Sequence, residues 1–144
     1  MLLGISIFFD IISINLFLCI AIKAIQFDAG DDIIRTILKY SPTSVSCKNN
    51  DMMLPIHKAA QFDVSDYLIE RLLTEYPQGS YETDVNGNLP LHLLYMNRAA
   101  PPSDSRLDHF IRANPTALSV KNSKGLIPIQ NLYSYHESID NYDG

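Results

Sequence analysis

Residues 54–60 read LPIHKAA, and residues 89–94 read LPLHLL. Leu54-Pro55-Ile56-His57 recurs as Leu89-Pro90-Leu91-His92 after 35 residues, and as Ile127-Pro128-Ile129-Gln130 after a further 38. Pro42, Pro77 and Pro115 keep the same two intervals. Matched backwards by 35, IKAIQFDAGDDII at 22–34 lies over HKAAQFDVSDYLI at 57–69. A fixed period of this length settles architecture before any single motif does. The histidines behind the prolines could serve a metal, a proton transfer or the fold alone, and the period bears on which.

Each unit reads as two short helices. Proline in a first helical turn gives up only an N–H that would have no intrahelical partner, so Pro55, Pro90 and Pro128 mark helix starts. Asp31, Asp66 and Asp104 share a later register position. A carboxylate there accepts from the free N–H groups of the second helix, so these three are expected as its caps. The apolar residues of that helix fall at Ile34, Ile37 and Leu38, at Ile69, Leu72 and Leu73, and at Leu107, Phe110 and Ile111, an i, i+3, i+4 stripe in every copy. The proline after each stripe is expected to stop the helix, and Gly87 and Gly125 in the polar stretches 81–88 and 121–125 permit the positive φ of a turn. The two prolines in 97–105 place the three extra residues of the second interval between the helices of its unit. No unit can bury its stripe alone, so the expected shape is a stacked α-helical solenoid.

A helix–turn–helix unit of this length, opening on Pro-Leu-His and joined by glycine-containing turns, resembles the ankyrin repeat, whose signature is T-P-L-H-x-A. The resemblance covers about residues 20–135. Pro55-Ile56-His57-Lys58-Ala59 and Pro90-Leu91-His92 match the signature; Leu54, Leu89 and Ile127 replace its Thr, Leu94 its Ala, and Gln130 the third His. The resemblance implies an all-α, ankyrin-like solenoid of about three repeats plus a partial C-terminal one. Their bounds are about 19–53, 54–88 and 89–126, with the partial repeat at 127–135, inside a domain of 19–135. It further implies that His57 and His92 are structural. Turn tips and the exposed side of the first helices would form a face that binds another protein. By register that face holds Asn50, Asp51, Met53, Gln61 and Phe62 from one repeat, and Val85, Asn86, Asn88, Met96 and Asn97 from the next.

Composition narrows the alternatives. With 144 residues, 47% hydrophobic and 19% charged, the chain can bury one core. A net charge of −5 and eleven Lys and Arg scattered singly from Lys23 to Lys124 leave no basic stripe to follow a phosphate backbone, so nucleic acid is not an expected partner. Cys19 and Cys47 form no disulfide framework and no thiol ligand set, which leans toward a reducing compartment. No P-loop, G-x-S-x-G or H-E-x-x-H motif is present, and the histidines have no metal-ligand spacing around them. His109 and His136 read as solvated. The expectation is a non-catalytic, monomeric interaction module without cofactor or metal.

The ends stand apart. Residues 1–18 open a run of 22 residues that lacks Lys and Arg and holds one acid, Asp10. They read as a capping helix, with Ser6, Asp10 and Ser13 on one polar stripe, as a membrane anchor, or as a removed leader. The corresponding locations are cytoplasmic, or membrane-associated with a cytoplasmic repeat domain. Residues 136–144 form an acidic polar tail.

Overall fold

The computed structural model describes residues 20–96 and 101–132, and among these it is helical, with no strand. Expectations about 1–18, Cys19, Asn97 and the stretch from 133 to the tail lie outside the described residues. Among the described residues six bounded α-helices run in order, α1 Ile20–Gln26, α2 Asp31–Tyr40, α3 Pro55–Gln61, α4 Asp66–Glu75, α5 Pro90–Tyr95 and α6 Asp104–Ala113, and residues 130–132 are also helical. A 3-10 turn follows each second helix, at Pro42–Ser46, Pro77–Tyr81 and Pro115–Ser119. The starting residues 55 and 90, then 31, 66 and 104, then 42, 77 and 115, reproduce the sequence intervals.

Local chemistry explains the bounds. Leu54 and Leu89 are extended, at ψ 165° and 161°, as a residue before proline must be, and Pro55 and Pro90 take the first helical position. Before α4 and α6, Ser65 and Ser103 accept from the N–H groups of Leu68 and Arg106. The caps are therefore these serines, and not Asp66 and Asp104, which sit one residue inside the helix and act on its dipole. Asp31 is likewise inside, behind Gly30, which supplies no side-chain cap. The prolines also behave differently from a simple stop. α2, α4 and α6 close on Ser41, Tyr76 and Asn114, whose N–H groups reach Ile37, Leu72 and Phe110, and each following proline opens the 3-10 turn.

The helices pack together through one core. Within each unit the first helix packs on the second, as α1 on α2, α3 on α4 and α5 on α6. Between units α1 meets α3, α3 meets α5 and α4 meets α6, while the 3-10 turns at Pro42–Ser46 and Pro77–Tyr81 also touch a helix of the following unit. None of the nine stripe positions is fully exposed, and Ile34, Leu38, Ile69, Leu72 and Phe110 are essentially sealed. Sealing one such side chain is worth about 1.5–3 kcal/mol, which is the main force holding neighbours together.

Candidate functional site

The two histidines are buried completely. Backbone N–H of Leu54 donates to His57 Nδ1 at 3.1 Å, so that nitrogen carries no proton. Nε2–H must then donate to the Glu82 carbonyl oxygen, also at 3.1 Å. His92 repeats this with Leu89 and Leu126, both at 3.1 Å. Asn88 for His57 and Val120 for His92 offer a second backbone partner from the other arm of the connecting loop. Each ring thus ties a helix start to the base of the loop that leaves its unit. Burial pushes His57 down to about 4 and also lowers His92, so both are neutral at pH 7. At the third position Gln130 Oε1 accepts from Ile127 N–H at 2.9 Å and reproduces the Nδ1 half of the arrangement.

The loops themselves are joined in a ladder. Asn49, Asp84 and Asn122 share a register position, and each Oδ1 accepts two backbone N–H groups of its own turn at 2.8–3.1 Å. Asn88 joins two turns, donating to Asp84 Oδ2 at 3.1 Å and accepting from Asn122 Nδ2 at 2.9 Å. Between loops, Val85 N–H donates to the Asp51 carbonyl and Ser123 N–H to that of Asn86, both at 3.0 Å. Lys48 reaches across to Glu82 at 2.6 Å.

This geometry sorts the residues expected on the binding face. Asn50, Asp51, Val85 and Asn86 are exposed at the loop tips; Phe62 is 37% exposed at the end of α3, with Gln61 half-buried beside it. Met53 and Asn88 do not belong to that face. Met53 packs inward with the core, and Asn88 is consumed by the amide network between loops. Met96 is half-buried against the core.

Arg106 escaped the sequence reading. It is buried, donates to the carbonyls of Phe62 and Val64, and pairs with Asp63 at 3.1 Å and Asp66 at 3.7 Å. An arginine of the third unit therefore clamps the bend of the second. Its signal was present as a cation standing at the register place of Leu68. Asn114 performs a similar crossing, donating to the Ser80 carbonyl at 2.9 Å. Among the described residues no three His, Cys, Asp or Glu side chains converge to hold a metal ion, and no helix is long and apolar enough to cross a membrane. The chain matches no protein-family model and no curated protein.

Proposed function

We propose that the chain is a divergent ankyrin-type solenoid and acts as a non-catalytic module that binds another protein. The observation that carries this reading is the connecting loop. Of the three equivalent turns, those at 84–88 and 122–126 are held from beneath by His57 and His92, and all three are joined to one another, so their tips form a rigid row. Exposed Phe62 at the end of α3 and exposed Val85 at a loop tip are the apolar anchors such a surface would use, with Asn50, Asp51 and Asn86 exposed at the tips and Gln61 half-buried beside Phe62 as its polar residues. Both ring nitrogens of each histidine are committed to the backbone, which supports a structural role over metal binding or proton transfer.

The test is affinity capture with the full chain and with a Phe62→Ala, Val85→Ala variant, followed by thermal melting of both. The reading expects one protein to be retained by the parent chain and lost by the variant, with melting within about 4 °C because both side chains face solvent. Equal retention by both would reject this surface, and a large drop in melting would assign Phe62 to the core.

A further inference from the structure

Asn86 and Gly87 form the tip of the connecting loop at 81–88. An asparagine amide is thermally labile, and a following glycine, having no Cβ, leaves the next backbone nitrogen open to it. The other asparagines among the described residues are held or screened. Asn88, Asn114, Asn122 and Asn131 are buried, and their Nδ2 groups donate to Asp84, the Ser80 carbonyl, Asn88 and the His92 carbonyl. Asn49 takes two backbone N–H groups on its Oδ1, and Asn50 precedes Asp51, whose Cβ screens the nitrogen between them. Asn86 is exposed, its side chain makes no hydrogen bond among the described residues, and glycine follows it.

We propose that Asn86 is a self-modification site, at which the chain deamidates itself and releases the tie between the second and third loops. The Gly87 nitrogen loses its proton to water and attacks Asn86 Cγ, forming an N–Cγ bond. Nδ2 leaves as ammonia with a proton taken from water, and a five-membered succinimide remains. Water then adds to one of the two ring carbonyls and breaks its C–N bond. Opening at Cγ gives aspartate; opening at the former backbone carbonyl gives isoaspartate. One water is consumed, one ammonia is lost, and a neutral amide has become a carboxylate, with no oxidant, cofactor or second protein required.

The fold separates the two products. Asp51 already stands at the register place of Asn86, and its carbonyl accepts from Val85 N–H at 3.0 Å as that of Asn86 accepts from Ser123 N–H, so aspartate at 86 fits the turn. Isoaspartate sends the main chain through Cβ and Cγ and adds one carbon before Gly87. The turn has no slack for it. Gly87 N–H closes on the Asp84 carbonyl and Asp84 N–H on that of Asn88, both at 3.0 Å. Gly87 also lies so close to the third loop that a Cβ would stand 2.9 Å from Ser123 Oγ. The added atom therefore unseats Gly87 from Ser123 and frees the Ser123 N–H. The bond from Gly87 N–H to Asp84 makes the attack wait for a local opening of the tip, so the folded chain reacts more slowly than the same sequence as a free peptide. Any effect on binding rests on the interaction-surface reading, because Asn86 lies on that surface; the modification itself does not.

The experiment holds the full chain in heavy-oxygen water at mildly alkaline pH with no partner present, beside a free peptide of residues 81–95 as the clock. Tandem mass spectrometry locates the incorporated oxygen, and enzymatic methylation with S-adenosylmethionine counts isoaspartate. Label at Asn86 should exceed that at Asn50, Asn88 or Asn122 by about tenfold or more. Hydrogen exchange at the Ser123 N–H should quicken in the isoaspartate fraction and keep the parent rate in Asn86→Asp. An Asn86 still unlabelled after ten times the period in which the free peptide converts fully, equal label at the other asparagines, or an isoaspartate fraction whose Ser123 N–H exchanges at the parent rate would each overturn the proposal. The readout uses no partner, so its failure leaves partner capture at Phe62 and Val85 to be decided by its own experiment.

Discussion

His57 donates through Nε2 to the Glu82 carbonyl, 25 residues along the chain, while its Nδ1 takes the N–H of Leu54. One uncharged ring thereby satisfies a buried donor and a buried acceptor that no helix or sheet could pair. Replacing His57 with Ala strands both groups and opens a cavity, and should cost about 3 kcal/mol in urea denaturation. His57→Gln should cost less, because Gln130 already shows an amide oxygen taking the equivalent N–H.

Acid should loosen the stack at these same rings. The folded pKa of His57 is lowered from 6.5 to about 4, so between those values the unfolded chain binds more protons than the folded one. Stability therefore holds above pH 6.5 and is lost as pH falls toward 4, by about 3 kcal/mol for His57, with His92 acting in the same direction. Unfolding free energies measured from pH 7 to 4 should show this slope, and His57→Gln should flatten it.

The loop tips predict opposite effects at one register position. Met52 has φ 60° where Gly87 and Gly125 stand, at 73° and 76°. Met52→Gly removes left-handed strain but loosens the unfolded chain, for a net gain of about 0.5 kcal/mol. Gly87→Ala should cost about 2–3 kcal/mol, since its Cβ would lie 2.9 Å from Ser123 Oγ and 3.0 Å from Ser123 N. Gly125→Ala, with nothing within 4 Å, should cost about 1 kcal/mol. Chemical denaturation of the three variants would rank them.

Arg106→Leu places in the third unit the residue that the second unit carries at Leu68. Packing volume is kept, yet the carbonyls of Phe62 and Val64 lose their donor and Asp63 and Asp66 lose a cation. The expected loss is about 2–4 kcal/mol, with faster amide exchange confined to residues 62–66. A variant as stable as the parent would mean that water serves these carbonyls equally well.

Periodicity made the helices and their bounds legible, because a stripe such as Ile69, Leu72 and Leu73 repeats at fixed offsets and proline marks a position unambiguously. Capping was less legible. Ser65 and Ser103 stand beside Asp66 and Asp104, and both residue types can cap, so only backbone geometry separates them. Exposure at the loops was misread for Met53 and Asn88 for a related reason. In a tight turn neighbouring residues face opposite ways, and an asparagine reads as surface until Asp84 and Asn122 are found on either side of it. Arg106 was hidden by its type: a buried guanidinium is specified by carbonyls 42 and 44 residues away, a relation that no local pattern carries.

The central claim is that His57 and His92 are neutral structural ties of a repeated stack. Long-range proton–nitrogen NMR correlation of the imidazoles from pH 7 to 5 tests it most directly. The account predicts that both rings hold the Nε2–H form with unprotonated Nδ1 at pH 7, that His57 keeps it to pH 5, and that His92 titrates below the ordinary histidine range, their Nε2 protons protected from exchange. Rings that titrate near pH 6.5 with rapidly exchanging protons would contradict it, and with it the rigid row of loops on which the proposed binding surface depends.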